Sequence, residues 1–312
     1  MITKDKIKSF IRNFDIDIVI TTKGGSTQLL KCVTFISKNN PLPHQIIVVD
    51  NNDEFSEELF QQIKTICSKK NLHLKYLFKT KIGLSRARNL CLSQVDAPYY
   101  AFIDQDEYVH SKWISKLINF LNLHKDVDVV TGVKKSTDPN NYWNMIWDEI
   151  YRPGLTFQGP VDFASSSNTC YRTKFIRKNH ITYDDSFTKS SEDRVFSYRL
   201  TQAHAKICFS AKIWLYHDFR NTFKSFIHQW LEYGKSMFTY HHKYLDKSLH
   251  KQFKYYISSL HPTRLDTPLT LLPGFLLLNL TYSFGYLKGS LLQLRDNIIF
   301  KLTQVFVPTK ST

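Results

Sequence analysis

The stretch Tyr99–His110 reads YYAFIDQDEYVH, in which a mostly apolar run leads directly into Asp104-Gln105-Asp106-Glu107. The apolar part predicts a buried strand, and the acidic part follows at its carboxyl end. The chain as a whole holds 42 Lys and Arg against 27 Asp and Glu, a formal net charge of +15. Three carboxylates within four positions therefore need a local reason in a chain that is strongly basic elsewhere.

The bulk composition is that of an ordered globular protein. The 312 residues are 42% hydrophobic and 14% aromatic, which predicts one large domain with an appendage. The five cysteines are odd in number and lack a CxxC spacing, so we expect reduced thiols in a cytoplasmic protein. The N-terminal MITKDKIKSFIRNF has no uninterrupted apolar core, and we expect no signal peptide. The positive charge favours anionic partners: nucleic acid, acidic lipid headgroups or phosphorylated small molecules.

The first part of the chain alternates short strand-like runs with helical patterns. Several runs are rich in Val and Ile and apolar on both faces, which predicts parallel strands with helices on both sides of the sheet. The predicted strands are 15–21, 44–50, 74–78, 99–104 and 127–133, and the predicted helices are 26–38, 56–69, 84–93 and 111–123.

Polar clusters follow three of these strands. They are Thr21-Thr22, Asp50-Asn51-Asn52 and Asp104-Gln105-Asp106. Because ligands of such sheets bind beyond the carboxyl ends of the strands, the clusters predict a binding crevice. Asp and Asn also begin turns after strands, which explains each cluster singly but the three together poorly.

The C-terminal part differs in composition, and we predict domains at 1–218 and 219–312. Residues 219–264 carry eight Lys and Arg against two acidic residues, together with many aromatics. Thr267–Leu287 then contains no charged residue over 21 positions, enough in length for a transmembrane helix. Its prolines and glycines weaken that reading and favour a segment packed on the protein or lying at a membrane interface.

Six landmarks in order carry a family resemblance: a strand ending in Thr21-Thr22, then VVDNN, GLSRARN, a strand ending in DQD, SEDRVFSYRL and LYHD, before an aromatic helix with Gly234. This order and spacing, over about residues 15–240, resembles the family-2 glycosyltransferases. The resemblance implies an α/β, GT-A-type, Rossmann-like mixed sheet flanked by helices, extended here by a helical, partly apolar C-terminal region. It also implies an inverting transfer of sugar from a nucleotide-sugar donor, with UDP favoured, to an acceptor hydroxyl in cell-surface polysaccharide or glycolipid synthesis.

The resemblance further implies a divalent cation, Mn²⁺ or Mg²⁺, since protein side chains alone rarely neutralise a departing diphosphate. By the family pattern Asp106 binds this metal and Asp104 contacts ribose or supports the site. In a continuing strand these two side chains would point the same way. His217 in LYHD matches a position that completes metal or diphosphate binding, and its alternative is a core histidine that ends a strand.

Nucleotide contacts are implied at the strand ends and on the helix after the third strand. Asp50 looks like the acceptor for a nucleobase N–H, and Arg86 like the family's basic nucleotide contact. An arginine on a helix is otherwise a solvated surface charge. The full set of nucleotide-binding residues implied by the resemblance is Thr21, Thr22, Asp50, Asn52, Arg86, Asn89 and Asp104.

The general base is expected in SSEDR, because an acceptor hydroxyl needs a carboxylate to take its proton. The family pattern assigns this role to Asp193, with Glu192 shaping the site, and the alternative is an acidic pair at a helix start. Asn168 and Trp230 are the implied substrate contacts. Lys23-Gly24-Gly25 and the replacement of the usual arginines around Trp230 depart from the family pattern and leave donor and acceptor open.

Three other functions remain as alternatives. The basic aromatic region 219–264 could bind nucleic acid or an anionic membrane, although it contains no recognisable nucleic-acid module and we expect no nucleic-acid partner. A nucleotidyltransferase would carry a Gly-rich phosphate loop, of which Lys23-Gly24-Gly25 is a faint echo. A catalytically dead relative would only bind nucleotide. The expected partners are a nucleotide-sugar donor, a saccharide or lipid-linked acceptor and an anionic membrane surface at which the protein is peripheral.

Overall fold

A computed structural model describes residues 14–245, 248–261 and 263–306, with side chains for all of these except 14–15, 249 and 297–306. The segment on which the absence of a signal peptide was predicted therefore lies almost wholly outside the described residues. The chain divides into two compact units, Met1–Phe219 and Arg220–Thr312.

The first unit is a mixed sheet with helices along the chain between its strands. The strands are β1 (Phe14–Thr22), β2 (Pro43–Asp50), β3 (His73–Phe78), β4 (Tyr99–Asp104), β5 (Glu107–Val109), β6 (Val129–Ser136), β7 (Gln158–Val161), β8 (Thr169–Arg172) and β9 (Ile207–His217). The helices are α1 (Ser26–Ile36), α2 (Glu57–Ser68), α3 (Leu84–Ser93), α4 (Trp113–Leu123), α5 (Tyr142–Tyr151), α6 (Thr173–Lys178) and α7 (Glu192–Gln202), with a 3₁₀ turn at Arg152–Leu155.

The strands lie in the order β3-β2-β1-β4-β8-β6-β9-β5, and β7 pairs with β9. The first four are parallel, as predicted, while β8 runs antiparallel to both β4 and β6. β6 and β9 are parallel, and β5 and β7 pair with β9 in the antiparallel sense. The predicted mixed α/β sheet is confirmed.

Both faces of the central strands are buried, because these strands alternate apolar side chains between two cores. Ile16, Ile18 and Ile20 of β1 face one core, which contains residues of α1, α2 and α4. Val19 of the same strand faces the other core with side chains from α3, α6 and α7. This period of two, with both faces apolar, is the reason that the central strands could be recognised from sequence.

The second unit consists of α8 (Phe223–Tyr244), α9 (Leu249–Ser258), a 3₁₀ turn at Leu269–Leu271 and α10 (Leu272–Phe306). Glycines allow α8 and α10 to pack closely, since a Cβ at Gly234 would overlap the Tyr282 carbonyl and one at Gly285 would overlap that of Leu231. The uncharged stretch Thr267–Leu287 covers the two residues before this turn, the turn itself and the first part of α10. Across the described residues, no helix combines the length and the apolar character needed to cross a membrane.

The aromatic rings of α8 pack within the second unit. Trp230 lies 4.9 Å from His261 and 5.4 Å from Tyr233 between ring centroids, and Phe238 lies 5.2 Å from Tyr286. Trp230 is only 2% exposed. Because these rings contact one another, their spacing reflects helix packing.

His110, just after β5, is predicted to make stability depend on pH. Burial, followed by the charges of Lys116, Lys112 and Lys135, lowers the pKa of His110 to about 4. The pKa of an unfolded histidine is about 6.5, so folding favours the neutral ring of His110. The contribution of His110 to the free energy of unfolding is therefore fully present above about pH 6.5 and is lost as the pH falls towards 4. We expect His110→Gln to remove this part of the pH dependence in urea denaturation.

A matched control for this experiment is His180→Asn, which replaces an exposed histidine in a left-handed conformation that Asn also adopts. The control should keep the wild-type pH profile. An unchanged profile in His110→Gln would contradict the prediction.

Candidate active site

The polar clusters after β1, β2 and β4 lie side by side at one edge of the sheet. Thr22 is paired in register with Asp50, and Thr21 with Asp104. The hydroxyls of Thr21 and Thr22, at the end of β1, therefore lie between the ends of β2 and β4, which carry Asp50 and Asp104. This edge is the place where ligands of parallel α/β sheets bind.

The acidic cluster is a turn and not a continuous strand, which corrects the expected geometry. β4 ends at Asp104, Gln105 and Asp106 form a turn, and β5 begins at Glu107. Strand alternation therefore does not decide where Asp104 and Asp106 point. The two carboxylates have different partners, Arg88 for Asp104 and His217 for Asp106.

Gln105 connects this turn to the loop after β1. Its Oε1 accepts hydrogen bonds from the Thr22 hydroxyl and from the Lys23 N–H, the latter at 3.1 Å. A Cβ at Gly25 would lie 2.5 Å from the Gln105 amide nitrogen, and Gly25 has φ +68, so a glycine fits here on two grounds. The segment Lys23-Gly24-Gly25, which departs from the family pattern, therefore forms a loop that packs against the acidic turn.

Asp106 and His217 are brought together by the pairing of β5 with β9. Glu107 is in register with His217, and the Asp218 N–H donates to the Asp106 carbonyl at 2.9 Å. His217 Nε2 lies 3.4 Å from Asp106 Oδ1, and both side chains remain partly exposed at 15% and 17%.

A carboxylate oxygen is a ligand that Mn²⁺ and Mg²⁺ prefer, and an imidazole nitrogen suits the softer transition-metal ions, so this pair fits Mn²⁺ better than Mg²⁺. Within the part of the chain that the structure describes, no group of three or more His, Cys, Asp and Glu is arranged as a metal site. The pair therefore fits a cation that takes its other ligands from elsewhere, such as a substrate phosphate or water.

Arg88 contacts two of the charged groups of this site and was not among the predicted nucleotide contacts. Its guanidinium contacts Asp104 Oδ1 at 3.2 Å through Nη2 and Glu192 Oε1 through Nη1, and the side chain is only 5% exposed. Burial opposes its charge, but Glu192 and then Asp104 outweigh burial and raise the pKa of Arg88. Arg88 thus joins the DQD turn to the start of α7.

Arg86 and Asn89, which were predicted to contact nucleotide, lie elsewhere on α3. Arg86 is exposed and its Nε is 3.2 Å from Asp185 Oδ2. Asn89 donates to the Tyr183 carbonyl at 2.9 Å and accepts from the Tyr183 N–H at 2.8 Å. The helix face that reaches Asp104 is therefore that of Arg88, and the structure brings neither Arg86 nor Asn89 to it.

Glu192 and Asp193 occupy the first turn of α7 after Ser191, which is left-handed with φ 63. Glu192 is buried; burial raises its pKa, and the charge of Arg88 opposes that shift. Asp193 is half-buried, and its Oδ1 accepts from the Arg194 N–H at 2.8 Å. The two carboxylates differ in environment, with Glu192 held by Arg88 and Asp193 beside it at the helix start.

Asp50 is fully covered in this structure. Its Oδ2 accepts from the Tyr76 hydroxyl at 2.6 Å, and its Oδ1 accepts from the Asn52 N–H at 2.9 Å. Burial and this hydrogen bond raise the pKa of Tyr76, so the hydroxyl stays protonated as the donor. Asn52 in turn accepts from the Gly24 N–H.

Asn168, which was predicted to contact substrate, is buried in the core of the first unit. Its side chain is 0% exposed, accepts from the Trp113 indole N–H at 2.8 Å and donates to the Val133 carbonyl at 2.9 Å. Both polar groups are thus used inside the fold. Trp230 belongs to the second unit, where it is buried among aromatic rings.

A buried ion pair beneath the acidic turn was not foreseen. Glu107 Oε1 lies 3.0 Å from Lys134 Nζ and accepts from the Ser167 hydroxyl at 2.8 Å. Glu107 Oε2 accepts from the Asp104 N–H at 3.0 Å. Burial opposes the charge of Lys134, but Glu107 outweighs it and raises the pKa of Lys134. Burial raises the pKa of Glu107, and the charge of Lys134 opposes that shift. Through its hydrogen bond to the Asp104 N–H, Glu107 anchors the backbone of the turn.

The sheet order and the acidic turn at the carboxyl ends of β1, β2 and β4 have the architecture of the GT-A fold. A model of the family described as Glycosyl transferase family 2 matches residues 17–184. The chain belongs to this family, as the sequence motifs predicted.

Similar proteins support the same assignment. Poly(ribitol-phosphate) beta-N-acetylglucosaminyltransferase TarS from Staphylococcus aureus, in strains Mu50 and MW2, is 20% identical over 184 residues, which are 58% of this chain and 31% of TarS. The chain thus matches about a third of the length of these curated relatives. Solved structures of residues 1–349 of S. aureus TarS share the fold.

Two of these structures contain ligands. The complex with UDP-GlcNAc has a TM-score of 0.56 and 17% identity, with 84% of this chain and 79% of that chain covered. The complex with UDP has a TM-score of 0.53 and 17% identity, with 86% and 79% covered.

Proposed function

We propose that this enzyme transfers a sugar from a UDP-sugar to an acceptor hydroxyl with inversion at the sugar. The observation that carries the proposal is the Arg88 bridge, which joins the DQD turn to the SSEDR segment and so brings a diphosphate-binding motif and a base-bearing motif to one place. The UDP-GlcNAc and UDP complexes of a similar fold support UDP as the nucleotide.

The donor nucleotide would occupy the edge formed by Thr21, Thr22, Asp50, Asn52 and Asp104. Asp104 would accept hydrogen bonds from ribose, while Arg88 fixes its orientation from behind. Asp50 would accept a hydrogen bond from the nucleobase N–H. The Tyr76 hydroxyl, which donates to the same carboxylate, would then share it with the nucleobase or move away. Arg86 would contact the nucleotide with guanidinium N–H groups other than the Nε that faces Asp185.

Asp106 and His217 would hold the divalent cation against the donor diphosphate. The bound cation would neutralise the charge that develops on the departing diphosphate. The protein's own contribution is positional: the turn holds the Asp106 carboxylate, β9 holds the imidazole, and Glu107 fixes the turn from below.

Asp193 would act as general base and remove the proton from the acceptor hydroxyl as it attacks the anomeric carbon. Glu192 is less suited to this role, because its carboxylate is buried and paired with the Arg88 guanidinium. One base opposite one leaving group gives a single displacement and therefore inversion.

The acceptor is proposed to be a saccharide or lipid-linked saccharide of cell-surface polysaccharide or glycolipid synthesis. The formal net charge of +15 would favour an anionic acceptor, such as a polymer that carries phosphate. The curated relatives are named for a poly(ribitol-phosphate) acceptor, which belongs to this chemical class.

The test is a donor screen with wild type and Asp106→Asn. We expect one sugar nucleotide, with UDP-GlcNAc tried first, to be bound and turned over with Mn²⁺ or Mg²⁺ and not with a chelator. Loss of a ligand carboxylate should weaken Mn²⁺ binding by at least about tenfold, which electron paramagnetic resonance measures independently of turnover.

Asp126→Asn, which changes an exposed carboxylate paired with Lys206, is the control and should behave as wild type. Failure of folded wild type to bind any sugar nucleotide would overturn the proposed function. Donor turnover that persists unchanged in a chelator would overturn the metal role alone.

A further inference from the structure

An apolar stripe runs along the open face of α10. Its members are each between 50% and 66% exposed, and they are Leu276, Leu280, Phe284, Leu287, Leu291 and Leu294. At 3.6 residues per turn these positions fall within an arc of about 80° and extend over about 27 Å. Contiguous exposed apolar surface of this kind marks an interaction site, unlike single exposed leucines.

The other faces of α10 are already used inside the second unit. Leu278 and Tyr282 are buried, and Gly285 meets the backbone of α8. Asn279 exchanges two hydrogen bonds of 2.9 Å with the backbone of His261. One apolar face of α10 is therefore packed within the second unit, and the apolar stripe is a second apolar face that is exposed.

The neighbouring helix α9 extends this surface. Tyr256 binds Ser283 at 2.6 Å between hydroxyl oxygens, so the two helices touch beside the apolar stripe. On α9, Gln252 and Tyr256 contact α10. The residues that follow them, Phe253 and Ile257, are 64% and 48% exposed. Exposed apolar groups thus stand on both sides of the α9–α10 contact.

The charge around the stripe identifies its partner. Residues 220–312 contain twelve Lys and Arg against four Asp and Glu, so the segment carries a formal net charge of +8. Lys251 and Lys254 on α9 and Lys288 on α10 are exposed near these apolar groups. A second copy would bring like charges together at this face, whereas an anionic lipid surface offers both the apolar layer and the opposite charge.

We propose that the second unit docks on anionic phospholipid surfaces, with α10 lying in the interface along its apolar stripe and the α9 and α10 lysines on lipid phosphates. This would hold the enzyme where a lipid-linked acceptor is found. The docking itself does not depend on the proposed transferase chemistry.

The test is flotation of the whole protein with vesicles of phosphatidylglycerol and phosphatidylcholine. We expect wild type to bind them, and to bind pure phosphatidylcholine vesicles at least tenfold more weakly. The triple variant Leu280→Gln, Phe284→Gln, Leu287→Gln should bind the anionic vesicles at least tenfold more weakly than wild type. Lys251→Gln, Lys254→Gln, Lys288→Gln should reduce both binding and its dependence on salt.

The matched control is Leu123→Gln, Leu155→Gln, Phe157→Gln, which removes three exposed apolar side chains of the first unit and should bind as wild type. Circular dichroism and donor binding in vesicle-free buffer show that each variant is folded, and separate a failure of docking from a failure of the proposed function. Equal vesicle binding by wild type and the α10 triple variant would overturn the proposal. So would a wild-type dimer that ignores vesicles and dissociates in the triple variant, because the stripe would then be a contact between copies.

Discussion

Asp193→Asn is expected to lower kcat for sugar transfer by about 10²–10⁴-fold, the range typical of a lost general base. The amide keeps the size and hydrogen-bonding capacity of the side chain but cannot accept the proton of the acceptor hydroxyl. Asp193 lies outside the Arg88 ion pair, so the substitution leaves the buried charges at the site balanced. Donor binding should therefore be unchanged while transfer is lost.

The measurement is steady-state transfer to a saccharide acceptor, together with calorimetric binding of the donor. Asp126→Asn makes the same chemical change on an exposed carboxylate of the first unit and should keep the wild-type kcat. An Asp193→Asn enzyme with normal kcat would remove Asp193 from the mechanism. A loss of donor affinity equal to the loss in rate would instead indicate a binding role.

Lys134→Met is expected to lower the free energy of unfolding by about 3–5 kcal/mol, because it leaves the buried Glu107 carboxylate without its counter-charge. Lys134 is 7% exposed and Glu107 is 0% exposed, so water cannot replace the lost partner. Many domains are stable by only about 5–15 kcal/mol, and the loss would be a large part of that total.

The double variant Glu107→Gln, Lys134→Met is the matched control. It removes both charges, while the Gln carbonyl can still accept the Asp104 N–H, so we expect it to recover much of the lost stability in urea denaturation. In the single variant, burial raises the pKa of Glu107, so the destabilisation should shrink as the pH falls and the carboxyl is protonated. Equal stability of single and double variants would contradict this account.

The central strands and the helices between them could be read from sequence because their signals are local. A run such as HQIIVVD combines strand propensity with apolar groups on both faces, and its helix neighbours repeat their apolar residues every three or four positions. The short strands β5, β7 and β8 were not predicted. Each has only three or four residues, too few for a period, and exists because neighbouring strands pair with it.

Some features of the candidate site could also be predicted from sequence, whereas others could not. The motif DQD predicted an acidic centre at the end of β4, yet the continuous strand assumed for it was wrong. In GLSRARN the sequence offers two arginines, and only the packing of α3 on the sheet shows that Arg88 reaches Asp104. The sequence likewise could not show that Asn168, a polar residue in a family motif, hydrogen-bonds to Trp113 and Val133 inside the core.

The sequence by itself determined the family, the order of the central elements and the edge of the sheet where polar groups gather, since these follow from side-chain type and short-range period. Only the tertiary structure decided which charges meet. Glu107 with Lys134, Arg88 with Glu192, and Asp106 with His217 are each far apart in the chain and become neighbours through strand pairing and helix packing. Such pairs depend on distances of a few ångströms between elements, and no local pattern in a single sequence encodes those distances.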